Sequence, residues 1–460
     1  WAHMHEPEKA TEKAKDLVRM AVAKARLLKP LEEPEIDVTP SVLIIGGGIS
    51  GMTAAFCLAN QGFKVYIVEK EPELGGMLRH IHKLCPSMED ASQGLDHIVN
   101  TVNSNKSINV LTSTVVKQVK GFIGNFEVAV ERTNGETTNF EVGTVIVATG
   151  AANFEPIGMY GYGEYSNVMT QLQLEKLLKD GQLKKPEKVV MIQCVGAREE
   201  KGRTYCSRIC CMTALKNAML IKELYPDTDV YVLFRDLQAY GTHYEDWHRR
   251  AQDAGVKFIK YVLEKPPQVV QGENGKITIN VYHALLDEQV KISSDLLVLS
   301  TPLIPQEGTK ELSQKLKVPV GSDGFFFEAH VKLRPIDFAT DGIYVCGTAH
   351  SPKDIAESVS QAFGVASRAA IPMAIKRLRV EAITAMVDEG LCTGCGTCIR
   401  LCPYSAIQKD EKGVARVTSV VCKGCGTCAA SCPERAITMG HFTDEQVRAQ
   451  ALAALGRVFA

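Results

Sequence analysis

Eight cysteines near the C-terminus fall into two runs of one pattern, and nothing else in the 460-residue sequence restricts its folding as much. Cys392, Cys395, Cys398 and Cys402 make C-x2-C-x2-C-x3-C-P, and Cys422, Cys425, Cys428 and Cys432 repeat it. Two-residue gaps let three thiolates wrap one [4Fe–4S] cubane, and the proline turns the chain away. In the doubled form, the fourth cysteine of each run serves the other cluster. The spacing therefore assigns one cluster to Cys392, Cys395, Cys398 and Cys432, and a second to Cys422, Cys425, Cys428 and Cys402. Gly394, Gly396, Gly424 and Gly426 let backbone N–H groups approach the sulfides. Zinc needs four ligands per site, and the doubled pattern with both prolines leaves little room for it.

Twelve of the fifteen cysteines lie in three clusters, at 194–211, 392–402 and 422–432. The first thirty residues are charged and lack the apolar h-region of a secretory signal. Without that signal, clustered cysteines read as metal or redox ligands, and the expected compartment is a reducing, anoxic cytoplasm. With 52 basic and 53 acidic residues, the net charge of −1 gives no electrostatic reason to expect nucleic acid or an anionic membrane surface. Apolar runs such as Val42–Ile45 and Val145–Ala148 are too short to span a bilayer.

Residues 7–30 pattern as one amphipathic helix, and LEEPEIDVTP, rich in proline and acid, reads as a linker. Strand and helix then alternate twice, over residues 41–160 and 161–300, as in a doubly wound α/β fold. The tail HFTDEQVRAQALAAL reads as a closing helix.

Gly46-x-Gly48-x-x-Gly51 follows the strand VLII and opens a small-residue helix, and Glu69 ends the next strand. This is a dinucleotide fingerprint in its required context: Gly46 for the tight turn, Gly48 for the pyrophosphate, Gly51 for helix–strand packing, Glu69 for the ribose. Three further features resemble FAD-binding flavoprotein disulfide reductases. Glu69-Lys70 followed by Gly75-Gly76 is similar to their EKxxxxGG pattern, TVIVATGA carries Gly150, and GIYVCGTA carries Gly347. The resemblance implies FAD at Gly46.

Those reductases carry a second GxGxxG. Here the corresponding strand, KVVMIQCVGAREE, leaves Gly196 nearly alone, and Cys194, Cys206, Cys210 and Cys211 stand where a nicotinamide cradle belongs. Their spacing admits a third [4Fe–4S] cluster, a vicinal dithiol at Cys210–Cys211, or buried inert thiols. Together with CVGAREEKGRTYCSRICCMTALKNA, the segments FRDLQAYG and WAHMHEPEKATEKAKDLVRMAVAKA resemble the A-subunit family of heterodisulfide reductase along essentially the whole chain. That resemblance implies that these four cysteines hold a third cluster, and that Lys216 lies near the flavin N5. The alternative for Lys216 is an exposed helix lysine, since most lysines are solvated. The resemblance also implies flavin-based electron bifurcation between a two-electron donor, ferredoxin and a disulfide or similar acceptor. The implied partners are B- and C-like subunits, a hydrogenase, formate dehydrogenase or other electron donor, and a second copy of the chain.

Methanogen members of that family have an additional ferredoxin insert, absent here between Cys85 and TVIVATGA, and an N-terminal cluster domain near whose end Trp1 begins. Cys85 reads as a buried thiol, Cys57 and Cys346 as small core residues, and His80 and His82 as solvated or packing residues.

The expected fold is α/β, a flavoprotein disulfide reductase-like double Rossmann fold with a C-terminal two-cluster ferredoxin domain of α+β type. Its expected segments are an N-terminal helix and linker (1–38), a first FAD-binding part (39–160) and an inserted cysteine-bearing Rossmann-like domain (161–300). A second FAD-binding part (301–383), the ferredoxin domain (384–440) and a C-terminal helix (441–460) complete it. Two rival readings are a non-bifurcating electron wire within a complex and an NAD(P)H-dependent, glutamate-synthase-like oxidoreductase. The absent second fingerprint argues against the latter.

Overall fold

The computed structural model describes residues 2–456. They form two compact units: residues 39–121 with 125–374, and the described residues up to 38 with 122–124 and those from 375 onward.

The first unit holds two five-stranded parallel sheets. One is ordered Ile343–Val345, Thr144–Val147, Ser41–Ile45, Lys64–Val68, Ile108–Leu111. All five residues of the central strand Ser41–Ile45 are buried, as a continuous apolar run in a parallel sheet requires. Three residues separate this strand from the helix Ile49–Asn60, so Gly46 and Gly48 lie between a strand end and a helix N-terminus, with Gly51 in the first turn of the helix.

The second sheet is ordered Val168–Thr170, Leu296–Leu299, Lys188–Ile192, Asp229–Phe234, Lys257–Lys260. Its central strand shows how alternation builds two cores. Val189 and Met191 pack with Leu174, Leu178, Leu215 and Ala218 of the covering helices. Val190 and Ile192 face the other way, onto Ile277, Ile279 and Val281 of a three-stranded antiparallel sheet. The helix Gln171–Lys179 is started by a capping box, in which Thr170 Oγ1 accepts from Gln173 N at 3.3 Å and Gln173 Oε1 accepts from Thr170 N at 2.8 Å.

In the second unit, two sequence expectations need correction. The N-terminal helix runs Pro7–Ala25 and stops short of residue 30. The carbonyls of Leu27 and Lys29 leave the helical ladder and accept from Gln446 Nε2 and His441 Nε2, both at 3.0 Å. The acidic stretch read as a linker contains the strand Glu35–Asp37, which pairs antiparallel with Arg377–Arg379. Its acidic residues face Arg377 and Arg379 at 3.1 and 3.4 Å, which is why they sit in a ladder. The closing helix, Asp444–Leu455, is capped by Thr443 and packs on the N-terminal helix.

The ferredoxin-like part has short strands arranged across its repeat. Ala385–Val387, before the first cysteine run, pairs with Ile437–Met439, after the second. Ile407–Lys409, after the first run, pairs with Ala415–Val417, before the second. Among the described residues, no helix is long and apolar enough to cross a membrane.

Candidate redox centres

The fingerprint residues open onto a cavity of ≈ 560 Å³, within the range of cofactor sites. Gly46, Gly48, Glu69, Lys70, Gly75, Gly76 and Gly150 all line it, and Gly347 sits next to the lining residue Thr348. Gly46 has φ +110°, and a Cβ there would lie 2.3 Å from the Ala148 carbonyl oxygen; a Cβ on Gly51 would lie 2.0 Å from the Gly46 carbonyl oxygen. Backbone crossings this close admit only glycine. The buried Glu69 accepts from Gly47 N at 2.6 Å and Glu71 N at 2.9 Å. Each carboxylate oxygen keeps a lone pair for a ribose hydroxyl. Lys70 is exposed on the rim, 3.4 Å from Gln306 Oε1. The glycine-lined space, the helix N-terminus and the buried carboxylate fit a dinucleotide.

Another part of the cavity lining comes from the second sheet's helices. Cys210 and Lys216, both on the helix Cys210–Leu224, line it. Lys216 is 3% exposed, which removes the alternative of a solvated helix lysine. Its Nζ donates to the Lys83 carbonyl at 2.9 Å and pairs with the buried Glu175. Burial pulls the ammonium down to about 8. Cys85, also on the lining, is half-buried with its Sγ 3.9 Å from the Met212 carbonyl, and burial pushes its thiol up to about 11. No motif marks Lys353. It is a buried lysine on the lining, donating to the carbonyls of Gly347 and Ser351 at 2.9 and 2.8 Å, and burial takes it to about 8. Of the remaining cysteines and histidines, Cys346 is fully buried, Cys57 half-buried, His80 exposed and His82 half-buried.

Seventeen residues, Gln193–Ile209, replace the tight glycine turn between the strand Lys188–Ile192 and its helix. The loop folds on itself: Arg203 Nε donates to the Gly196 carbonyl at 2.7 Å, and the guanidinium lies 3.9 Å over the Phe154 ring. Cys194, Arg198 and Arg208 all have positive φ. The loop brings four thiols into one neighbourhood. Burial raises Cys210 strongly and Cys211 to about 12, and the nearness of the Cys194 and Cys206 thiols contributes to both shifts. Arg208 N donates to Cys206 Sγ at 3.3 Å. Desolvated thiols with such neighbours ionise only when a cation takes up their charge.

Two further cavities lie in the C-terminal part. Cys392, Cys395, Cys398 and Cys432 line one, and Cys402, Cys422, Cys425 and Cys428 line the other. The crossed strand pairing explains this grouping, because each fourth cysteine is carried to the opposite run by the strand that follows it. The two sites also match in detail. Cys395 Sγ is 3.5 Å from Thr397 Oγ1 and Cys425 Sγ 3.5 Å from Thr427 Oγ1, contacts that lower both thiols. Among the described residues all the cysteines are free, and no three His, Cys, Asp or Glu side chains are placed to hold one metal ion. A cubane instead takes each cysteine on its own iron.

Residues 40–364 match the family described as pyridine nucleotide-disulphide oxidoreductase, and residues 385–439 match the 4Fe-4S dicluster domain. The chain is 39% identical to the A subunit of the H2:CoB-CoM heterodisulfide,ferredoxin reductase of Methanothermobacter marburgensis, over 99% of this chain and 82% of that one. It is 39% identical to the first of the iron-sulfur A subunits of CoB–CoM heterodisulfide reductase in Methanopyrus kandleri, with the same coverage. Those alignments run to 545 and 557 residues, so both relatives carry segments with no counterpart here. Thioredoxin reductase of Lactococcus lactis in its FR conformation superposes with a TM-score of 0.52 at 16% identity, over 73% of this chain and 99% of that one, a likeness of fold alone.

Proposed function

Because the chain belongs to the A-subunit family of heterodisulfide reductase, a family of oxidoreductases, we propose that it performs flavin-based electron bifurcation as the flavin and iron–sulfur component of such a complex. Its donor is a two-electron donor acting through a partner protein, such as a hydrogenase or formate dehydrogenase. One acceptor is ferredoxin, and the other is a disulfide or similar group on B- and C-like subunits, with two copies of the chain per complex. The name of the Methanothermobacter relative pairs a heterodisulfide with ferredoxin, which supports the two acceptors.

One observation carries this reading: the cavity lined by the dinucleotide fingerprint is also lined by Cys210 and Lys216. FAD, when bound, exchanges electrons in pairs or singly, whereas a [4Fe–4S] cluster passes one. The chain's own residues fix the arrangement. The N-terminus of the helix Ile49–Asn60 takes the pyrophosphate and Glu69 the ribose. Lys216 supplies a buried positive charge and a donor on another wall of the same cavity. Cys194, Cys206, Cys210 and Cys211 hold a third cluster next to that wall, and the eight C-terminal cysteines hold the other two. The loop Gln193–Ile209, closed by Arg203 and Phe154, supports protein partners over a nicotinamide as the route of electron entry.

Anoxic analysis of the purified chain tests this assignment. Three cubanes give roughly twelve irons beside one FAD, and a result near eight removes the third cluster. Lys216→Ala is expected to impair bifurcation with the clusters intact, and an unaltered rate removes its role. A single two-electron flavin couple without crossed potentials would identify a simple electron wire instead.

A further inference from the structure

We propose that Glu175 is the positioning residue of this centre: it holds Lys216 in place and charged at the cavity wall. The proposal rests on the reading of Lys216 given above and adds a residue that no motif marks.

Glu175 stands on the helix Gln171–Lys179 and is 2% exposed, yet it lines the cavity. Neither of its oxygens is idle. Oε2 accepts from His82 N at 2.8 Å, and Oε1 accepts from Lys216 Nζ. Lys216 Nζ donates in turn to the Lys83 carbonyl at 2.9 Å. Three separate pieces of chain thus meet at one ion pair: the capped helix, the cysteine-bearing helix, and the segment 82–83 that follows Gly75-Gly76.

A buried carboxylate needs a partner, and a pair placed only for stability could be replaced by apolar side chains of the same volume. This pair borders the space read above as the flavin site. An ammonium has three donors. Two are committed to Glu175 and Lys83, which fixes the direction of the third. Other charges around the pair are arranged so that Glu175 remains the counter-ion. Lys179 is turned to the carbonyls of Arg79 and Ile81, at 2.9 and 3.5 Å, and Lys83 Nζ lies 4.0 Å from Asp90. Burial and then Lys83, Lys216 and Lys179 push His82 below its ordinary value, against a pull upward from Asp90. Cys85, whose surroundings include Lys216 and Asp354, is kept protonated by its own desolvation.

Removing an opposite charge at this range shifts a pKa by ~1–3 units. Without the Glu175 carboxylate the buried Lys216 loses its ion-pair partner, and the lysine gives up its proton at lower pH. Any flavin property that depends on the ammonium should move with it.

The test is a double-mutant cycle on the anoxic holo chain, with the flavin midpoint potential followed spectroscopically from about pH 6 to 10. Glu175→Gln is expected to move the pH at which the potential changes slope downward by about one unit or more. In a Lys216→Met background the same substitution should move nothing. Lys353→Met serves as a control, because that lysine also lines the cavity, and the effect of Glu175→Gln should persist in it. An unchanged profile in Glu175→Gln overturns the proposal, and so does an equal change with and without Lys216. If Lys216→Met alone leaves the flavin as in the wild type, the assignment of Lys216 falls and this inference falls with it. If Glu175→Gln does not retain FAD, Glu175→Asp carries the test. It keeps the charge but shortens the reach, so a profile equal to the wild type overturns the proposal.

Discussion

Three glycines of the fingerprint should fail in two different ways. Gly46 has φ +110°, and a Cβ on it would stand 2.3 Å from the Ala148 carbonyl oxygen; on Gly51 it would stand 2.0 Å from the Gly46 carbonyl oxygen. Each contact requires backbone to move by about an ångström, which overpacking data place at ~1–3 kcal/mol, with ~1–3 kcal/mol more for the strained φ at Gly46. Gly48 differs. Its φ of −75° and ψ of −176° suit any residue, and nothing lies within 4 Å of a Cβ there. Gly48→Ala should therefore leave the FAD-free chain as stable as the wild type. The methyl would instead occupy space beside the helix N-terminus that a pyrophosphate needs. Losing one charge-assisted N–H bond at ~1.5–3 kcal/mol weakens FAD binding about 10- to 150-fold. Melting of the FAD-free chain by circular dichroism, and FAD titration by fluorescence quenching, separate the two effects. Gly46→Ala and Gly51→Ala should melt several degrees lower, roughly 2–4 °C per kcal/mol in a large domain. Gly48→Ala should melt with the wild type and bind poorly. Wild-type affinity in Gly48→Ala, or a melting loss equal to that of Gly46→Ala, refutes the reasoning.

Replacing the fourth cysteines should damage the opposite run. Cys402→Ser is expected to perturb the electron paramagnetic resonance signal of the cluster in the Cys422, Cys425 and Cys428 cavity, and Cys432→Ser that of the other; damage confined to each residue's own run would break the crossed assignment. NADH added to the isolated anoxic chain should leave the flavin oxidised, and bleaching would revive direct nicotinamide chemistry. Lys216 also sets a pH dependence of stability. Its folded value of about 8 lies below the ordinary 10.5, so between these the unfolded chain binds more protons and stability rises with pH. Lys216→Met should flatten that rise in urea unfolding midpoints measured from about pH 8 to 10.5.

What the sequence reveals depends on how local each constraint is. The fingerprint glycines are legible because strand, turn and helix N-terminus lie within a few residues. The cysteine runs are legible because a cubane draws three ligands from seven consecutive positions. The strand Glu35–Asp37 is not legible, since its partner Arg377–Arg379 lies at the other end of the chain. A proline-flanked acidic stretch looks like a linker until the arginines opposite it are known. The end of the N-terminal helix is hidden for the same reason: Gln446 and His441 take the carbonyls of Leu27 and Lys29. Glu175 and Lys353 carry no local mark at all. In QLQLEKLLK, Glu175 is one polar residue among several on a short amphipathic helix. Only the approach of Lys216, from a helix in another part of the fold, distinguishes it.

The same distinction bears on the eight C-terminal cysteines. Their spacing is local, but their partition between two cavities is not. Each cavity draws its fourth cysteine across the repeat, and each strand pair joins the outside of one run to the outside of the other. Neither cavity closes unless both halves are docked. A cluster inserted into one should therefore order the ligands of the other, because binding to a preformed set costs less than ordering the chain at the same moment. The two clusters should be acquired together. Iron–sulfur reconstitution with sub-stoichiometric iron should then yield chains with both clusters or neither in this unit. A population carrying one cluster each would mean that the halves fold independently and that the crossed strand pairing does not couple them.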